Sequence, residues 1–514
     1  MYKKENFGFI QYAGDNFSGK DSVMNTVSDM VRDALQKGDV RAASKACFPM
    51  FCGFTASEEW KKCVNMIKSV PWVEDDVYFY VIMVLEALRE GNLKEEAKWM
   101  EKLTSLKELF KDNTAEKELA ETAVSWLNVR IPRSENSSLM MELSALYNSE
   151  MEESVRFGHL CPTAGSPGIL RGAKDISDWG RKYKAMGNII KPMLPSLFED
   201  GGKGVWELFL AELFYEKNQL YLSEENVESA VEAENIPIKF AALCQYSRIL
   251  RINGESYISE KLMDEASELI SDFPDMRMHR NLAAIRVRCN IEKGNLDSAK
   301  NYASENSEET GSYCADKMFR LITLGKAYIA LGRYRDAIRF FGRLIELAEN
   351  DVRPLDTAEC YANCAVAHKL SGNNSMAEEK INKALKIARP YGYVRLFADM
   401  GEVIADILKN IAAEDDSYVQ EIIKESENFS KSFPQLYKFV RNNENMVAGS
   451  VRMTGTEQAV LLLLNRGLTN KEISECMNIK ITTVKFHVKN ILGKLGAVNR
   501  IEAVSFAKKI RLID

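Results

Sequence analysis

The sequence has little of what enzymes, metalloproteins and secreted proteins commonly carry. Only four histidines occur in 514 residues, and none of them lies in a recognisable nucleophile or metal-binding motif: His159, His279, His368 and His487. The ten cysteines form no CxxC pair, which indicates scattered thiols of a reducing compartment rather than disulfides or a zinc site. We therefore predict a protein that is not an enzyme and that uses no metal or cofactor.

Long apolar runs are also missing. No stretch reaches the ~18 apolar residues that are needed to cross a membrane. The first residues lack the basic start and the continuous apolar core of a signal peptide. We therefore expect a cytoplasmic protein without a membrane partner. The hydrophobic fraction of 46% is nonetheless sufficient for a large globular core.

Charge is distributed unevenly along the chain, whose overall net charge is -6. Between Val451 and Asp514 there are eleven basic and five acidic residues, a net charge of +6, which leaves -12 for the remainder. A basic end on an acidic body is typical of a DNA-binding module attached to a regulatory body.

A short cue recurs along the chain and is typical of helical hairpins. An apolar helix is followed by glycine with Asn, Asp or Arg, and then by alanine five or six residues after the glycine. Glycine can end a helix in the left-handed conformation, and the small alanine lets the next helix pack closely. Such hairpins must stack to bury their apolar faces, which predicts an all-α solenoid; an irregular helical bundle is the alternative. The cue occurs at Gly38 with Ala43, Gly91 with Ala97, Gly294 with Ala299, Gly332 with Ala337 and Gly372 with Ala377.

Changes in composition divide the chain into six parts. Residues 321–348 (LITLGKAYIALGRYRDAIRFFGRLIELA) resemble a tetratricopeptide (TPR) repeat. The Pro- and Gly-rich connection is expected to contain a helix near Trp179–Ile190. The predicted parts are an N-terminal segment (1–24), helical repeats (25–157), an irregular connection (158–204), TPR-like helical repeats (205–440), a polar linker (441–452) and a four-helix domain (453–514).

Helix start signals are dense in the last part. Capping boxes begin at Thr454, Thr469 and Asn499, each with glutamate three residues later, and predict four short helices. The third helix runs from about Thr482 to Leu495. One of its faces is an apolar stripe formed by Val484, Val488, Ile491, Leu492 and Leu495. The opposite face holds Thr482, Lys485, Phe486 and Lys489.

That opposite face contains cations, a hydroxyl and an apolar ring, and it contains no carboxylate. Such a face suits the major groove of DNA, where lysine meets phosphates or guanine acceptors and an apolar group can touch a thymine methyl. An ordinary solvated basic face is the alternative.

Two segments of this domain, GLTNKEIS (467–474) and TTVKFHVKNILGKLGAVNR (482–500), closely resemble the LuxR-type helix-turn-helix domain of bacterial transcription regulators. In that family the helix carrying the TVKxH motif enters the major groove. The resemblance implies base-side contacts by Lys485, Phe486 and Lys489. It implies phosphate-side contacts by Thr469, Asn470, Thr483, Asn490 and Lys494.

The motif and the residues just before it include one position that fits two roles and one that departs from the family. His487 matches the family's histidine, and either a contact with the DNA backbone or a packing role fits it. Lys480 stands where the family has a serine cap, and the loss of such a cap costs about 1 kcal/mol.

A second resemblance concerns the body of the chain. The segments ALKIARPYGYVRLFADMGE (384–402) and GILRGAKDISDWG (168–180) resemble the large MalT-like regulators, which sense a small molecule or a partner protein through helical repeats. Full-length relatives begin with an ATPase domain. Residues 14–21 nearly form a phosphate-binding loop, but Asp21 replaces the hydroxyl that holds magnesium. We therefore predict a shortened member without the ATPase switch.

Together these observations predict a sequence-specific transcription regulator that binds double-stranded DNA as a dimer. Its helical-repeat body would sense an inducer, either a small molecule or a protein. Two alternatives remain: a protein-interaction scaffold whose helix-turn-helix contacts protein, and a nucleotide-dependent switch that uses residues 14–21.

Overall fold

A computed structural model describes most of the chain, and its described residues are helical. Among them no β-strand occurs, apart from an isolated antiparallel bridge between Arg171 and Asp175, so the all-α prediction is confirmed. No helix in this part of the chain is long and apolar enough to cross a membrane. The described residues are 22–50, 58–111, 114–131, 136–148, 163, 165–198, 202–273, 275–306, 317–411, 413, 415–437, 453–495, 500–509 and 512–513.

The first part of the body consists of helices that precede residue 200. The longer ones are α1 (Ser22–Gln36), α2 (Val40–Ala46), α3 (Glu58–Lys68), α4 (Val77–Glu90), α5 (Leu93–Leu109), α6 (Ala115–Arg130) and α7 (Asn136–Asn148). The short ones are α8 (Ser177–Arg181), α9 (Tyr183–Ile190) and α10 (Leu194–Leu197).

The second part of the body is a run of antiparallel hairpins that ends in three further helices. The hairpins are α11 (Val205–Glu216) with α12 (Leu220–Val231), α13 (Ile236–Ile252) with α14 (Ser256–Leu269), α15 (Met276–Glu292) with α16 (Leu296–Glu305), α17 (Met318–Ala330) with α18 (Tyr334–Asn350), and α19 (Pro354–Leu370) with α20 (Asn374–Ala388). The further helices are α21 (Arg395–Ala398), α22 (Glu402–Lys409) and α23 (Ser417–Ser432).

Four helices form the C-terminal domain, which has its own hydrophobic core. They are α24 (Gly455–Asn465), α25 (Asn470–Met477), α26 (Ile481–Leu495) and α27 (Arg500–Lys509). Their core includes Val460, Ile473, Val484, Ile491 and Ala503. A separate and larger core extends through the body from Val27 to Tyr437.

The recurring glycine cue marks the turn between the two helices of a hairpin, as predicted. Each of the five glycines has φ between 68° and 84°, the left-handed region that glycine adopts without steric cost. In four of these turns the next residue caps the second helix, because its side chain accepts the backbone N–H three residues later. These caps are Asp39, Asn92, Asn295 and Asn373.

The alanine part of the cue is confirmed in four hairpins and wrong in one. Ala97 is exposed, although alanine was expected to lie between the helices. It lies six residues after its glycine, and one residue turns the side chain by about 100° around the helix. The fifth residue after Gly91 is Glu96, which is buried. The four buried alanines all lie five residues after their glycines: Ala43, Ala299, Ala337 and Ala377.

Several boundary predictions differ from the described helices. The helix expected near Trp179–Ile190 is two short helices, α8 and α9, because the backbone of Lys182 is not helical. Helix α1 begins at Ser22, inside the segment expected to precede the repeats. The linker 441–452 and residues 14–21 lie outside the described residues.

Close packing between α17 and α18 makes Gly325 a sensitive position. A Cβ atom at Gly325 would lie 2.3 Å from Cζ of the buried Phe341, so Gly325→Ala should lower the free energy of unfolding by about 1–3 kcal/mol. Gly342→Ala on α18 is the matched control, because no atom lies within 4 Å of its added Cβ. The control should be neutral or stabilising by up to ~1 kcal/mol. Equal melting temperatures for both variants would contradict this packing.

Candidate DNA-binding site and buried cavity

Local capping signals fix the ends of the first two helices of the C-terminal domain. At the start of α24, the Thr454 backbone N–H donates to Glu457 Oε2 at 2.8 Å, and the Glu457 N–H donates to Thr454 Oγ1 at 3.3 Å. At the start of α25, Thr469 and Glu472 make the same reciprocal pair at 2.6 and 3.4 Å. Both predicted capping boxes are therefore confirmed. Asn499, the first residue of the third box, lies outside the described residues.

The turn between α25 and α26 sets the direction of α26. Asn478 ends α25 in the left-handed conformation, with φ 53°. The Ser474 hydroxyl donates to the Ile479 carbonyl across this turn at 2.5 Å. The Lys480 carbonyl accepts the N–H groups of Thr483 and Val484 at 2.9 and 3.1 Å. A lysine side chain has no hydrogen-bond acceptor with which to cap α26, in agreement with the expected loss of a cap.

Helix α26 separates its apolar and polar sides as predicted. Val484 and Ile491 are fully buried, and Val488 and Leu492 are half-buried against the same core. On the other side Lys485, Phe486 and Lys489 are exposed together with Thr482. Phe486 is 59% exposed, so its ring is available for contact with a partner.

The polar side of α26 carries uncompensated positive charge. Helix α26 contains no acidic residue. Among the described residues, neither Lys485 nor Lys489 forms an ion pair. This surface, formed by Thr482, Lys485, Phe486 and Lys489, is the candidate recognition face.

The remaining sequence-predicted residues belong to α25, its N-cap and α26. Thr469 is exposed and Asn470 is half-buried at the start of α25. Thr483 and Asn490 are half-buried on α26. Lys494 lies within α26, but its side chain is outside the described residues. His487 is half-buried, and its Nδ1 atom has no hydrogen-bond partner.

Two comparisons with protein families agree with this geometry. Residues 451–507 match the family described as bacterial regulatory proteins, luxR family. Residues 203–414 match the family described as the MalT-like TPR region. The chain carries a MalT-like TPR region and a C-terminal luxR-family domain. Neither match is to an ATPase domain.

One positioning residue of the luxR-family domain escaped the sequence reasoning. Arg500, the first residue of α27, donates to the Leu468 carbonyl just before α25. This bond ties the last helix to the helix-turn-helix unit. Arg500 belongs to the quoted motif, but the sequence could not indicate which carbonyl it would meet.

A buried cavity lies along the TPR region. The first helices of its successive hairpins contribute to the wall, with residues such as Glu216 on α11, Arg248 on α13, Glu292 on α15, Lys326 on α17 and Glu359 on α19. Three further segments complete the lining: residues 166–171, Leu396 with Asp399, and the pair Leu436–Tyr437. The inner side of the hairpin stack is therefore closed by chain segments outside the hairpins.

The connecting segment 165–175 is bound by side chains that recognise its main chain. The Glu212 carboxylate accepts the N–H groups of Ile169 and Leu170 at 2.7 and 2.8 Å. The Arg353 guanidinium donates to three consecutive carbonyls at 2.8–3.3 Å, those of Arg171, Gly172 and Ala173. At the two ends of the segment, Asn281 donates to the Gly165 carbonyl and Asp175 accepts the N–H of Leu355. The stretch expected to be an irregular connection is thus part of the inner wall.

Glu359 is the centre of a buried charge cluster. Its carboxylate contacts Arg171, and it contacts Arg288 and Lys326 at 3.2 and 3.3 Å. Burial by itself raises the pKa of Glu359, but the three cations outweigh burial and hold the pKa well below its usual range. Arg171 also approaches Asp356 at 3.3 Å.

A second set of charges continues the cluster toward α13. Arg248 donates to Glu216 and to Asp399, both at 3.0 Å, and its guanidinium stacks 3.8 Å from the Tyr215 ring centre. Arg251 pairs with Glu292 at 2.9 Å. Sequence reasoning missed this cluster, because charged residues on amphipathic helices are most often exposed and only the stacking of hairpins buries these.

Protonation of Glu212 makes the free energy of unfolding of the body depend on pH. Burial raises the pKa of its carboxyl from the ordinary 4.5 to about 7, against the opposing N–H donors of Ile169 and Leu170. Because the folded chain holds this proton more tightly than the unfolded chain, this group's contribution to stability is lost as the pH rises through about 7.

The variant Glu212→Gln isolates that contribution. Glutamine keeps only one of the two side-chain oxygens that accept the N–H groups of Ile169 and Leu170, so the variant should be less stable than wild type at pH 5. The difference should narrow by about 1–3 kcal/mol toward pH 8 in denaturant titrations. Glu225→Gln on the exposed side of α12 is the control and should follow the wild-type profile. A stability difference that widens with pH would contradict the assigned direction.

Proposed function

We propose that the chain is a sequence-specific DNA-binding transcription regulator and that α26 reads DNA in the major groove. The observation that carries this proposal is a luxR-family domain whose recognition face is exposed, basic and free of carboxylates. Because α26 has no carboxylate that would repel DNA phosphates, its lysines attract the phosphate backbone.

The side chains of α26 divide into two proposed roles. We assign guanine acceptors as the partners of Lys485 and Lys489, and a thymine methyl as the partner of Phe486. These pairings match the groups that base edges present in the major groove. Thr482 adds a hydroxyl to the same face. Phosphate contacts are assigned to residues at the margins, where they set the register of the helix on DNA: Thr469, Asn470, Thr483, Asn490 and Lys494.

We further propose that two copies bind DNA together. A single helix of this length contacts only a few base pairs, so specificity at the scale of a genome favours two half-sites and a dimer on DNA. The site of action would be the cytoplasm, since the DNA partner of a bacterial regulator lies there.

The TPR region is the proposed sensing body, without an enzymatic role. Its inner wall is already occupied by the segment 165–175, which leaves a small, partly open cavity rather than a long groove for an extended peptide. This arrangement favours a small molecule over a partner protein as the inducer.

The double variant Lys485→Ala, Lys489→Ala tests the recognition face. Mapping of the DNA bound by the tagged wild-type protein in its host supplies the operator, and binding to that duplex is then measured at several salt concentrations. The variant should lose about 100-fold in affinity at one fixed salt concentration, because each lysine contact is worth about 1–3 kcal/mol. Wild-type affinity should fall steeply as salt rises.

The matched control is Arg466→Ala, Lys508→Ala. It removes the same charge from exposed positions of the domain that are outside α26, and it should lose less than about tenfold. Equal losses of operator affinity in both double variants would mean that specific binding does not depend on Lys485 and Lys489. Weak binding by wild type with no salt dependence would favour the protein-interaction scaffold.

A further inference from the structure

The cavity of the TPR region has the size of a small metabolite. Its volume is about 100 Å³. At ~15 Å³ for each water-sized sphere this space holds roughly seven waters, or one ligand of about ten non-hydrogen atoms. The cavity is therefore too small for a folded partner or a long peptide.

Among the described residues, two buried polar atoms on the cavity wall have neither a hydrogen-bond partner nor an ion-pair partner. Oε2 of Glu216 can only accept, and Nε2 of Gln245 can only donate. The Glu216 and Gln245 side chains are 2% and 5% exposed, so bulk water does not satisfy these atoms. An unsatisfied buried polar group costs about 1–3 kcal/mol, which a ligand with both a donor and an acceptor would remove.

Arg248 connects these two residues, since it contacts Glu216 and follows Gln245 by one helical turn. Arg248 donates to the other oxygen of Glu216 at 3.0 Å. Gln245 and Arg248 are three residues apart on α13 and therefore share a face of that helix. A single small ligand can thus reach a carboxylate oxygen, an amide N–H and a guanidinium.

The remaining lining narrows the chemistry of the ligand. When Glu212, whose pKa is about 7, is ionised, the charges on the wall balance, with five cations and five carboxylates: Arg171, Arg248, Arg251, Arg288 and Lys326 against Glu212, Glu216, Glu292, Glu359 and Asp399. A ligand with net charge would upset this balance, whereas a ligand with one charge of each sign would not. Apolar side chains complete the wall: Leu170, Ile285, Ile291, Phe319, Leu355 and Leu436.

We propose that this cavity binds a free α-amino acid with an apolar side chain. Its ammonium group would donate to Glu216, and its carboxylate would accept from Gln245 and Arg248. Its side chain would contact the apolar wall. This inference rests on the proposed function, because it names the inducer class of the sensing body.

The tail Leu436–Tyr437 would connect occupancy of this cavity to DNA binding by the C-terminal domain. Tyr437 is buried on the cavity wall and has φ 58°, a left-handed conformation that costs a non-glycine residue about 1–2 kcal/mol and must be held by packing. The luxR-family match begins at residue 451, shortly after this tail. A ligand that contacts the tail would therefore shift the conformational equilibrium of Leu436–Tyr437, which precede that domain in the chain.

Thermal unfolding and calorimetry of the full chain test the ligand class with a matched set of probes. L-leucine and L-phenylalanine are the zwitterionic probes. Isoamylamine is leucine without its carboxylate, and isocaproate is leucine without its ammonium group. At least one amino acid should raise the melting temperature, and both single-ended analogues should bind at least about tenfold more weakly, because each loses a hydrogen bond to a charged group.

The variant Gln245→Leu tests the location of the site. It keeps the side-chain volume and removes an unpartnered amide, so the fold should tolerate it, while amino-acid affinity should fall about tenfold. Gln219→Leu, at an exposed position before α12, is the control and should bind as wild type does. Three results overturn the proposal: no amino acid binds, a single-ended analogue binds as well, or Gln245→Leu leaves the affinity unchanged.

DNA affinity measured with and without the bound amino acid tests the tail. Occupancy should change the affinity for the operator by about fivefold or more in wild type and by less in Tyr437→Ala. An amino acid that binds without changing DNA affinity would overturn the role of the tail. Ligand binding is measured without DNA, so failure of this inference is distinct from failure of the proposed recognition face.

Discussion

The ion pairing of Glu359 is the interaction on which the architecture of the body depends most. This one carboxylate meets cations from three separate parts of the chain: Arg171 of the connecting segment, Arg288 of α15 and Lys326 of α17. Removing one partner from a buried ion pair costs about 3–5 kcal/mol, because the other charge is left uncompensated. The charges therefore hold the hairpins and the connecting segment in one register, while apolar contacts supply most of the driving force for stacking.

This constraint gives the inner wall its unusual character. Apolar packing alone would leave a groove along the first helices of the hairpins. Here the groove is filled by the segment 165–175, whose main chain is held by Glu212 and Arg353. A cavity remains only where the segment, the helices and the tail Leu436–Tyr437 do not meet. The polarity of that cavity follows from the charges that position the segment.

The luxR-family domain is built on a different principle. Its helix ends are set locally, by reciprocal capping bonds at Thr454 and Thr469 and by the left-handed Asn478. Its core is separate from that of the body. The structure of this domain therefore does not depend on side chains of the body, because no residue belongs to both cores.

The sequence by itself determined the helical class, the glycine turns of the hairpins and the faces of α26. Each of these follows from local rules: left-handed glycine, side-chain caps, and a period of 3.6 residues that buries Val484 and Ile491 while it exposes Lys485 and Phe486. The same period explains the one wrong alanine, since Ala97 lies a single residue beyond the buried position. Such signals act within a few residues and can be read along the chain.

Only the tertiary structure decided which charges are buried and what they hold. Glu212 and Ile169 are 43 residues apart in the chain, and Arg171 and Glu359 are 188 apart. Nothing in the local pattern around these residues distinguishes them from solvated charges on a helix surface. Their partners, their shifted pKa values and the cavity between them arise because stacked hairpins bring distant residues together and exclude water from the space between them.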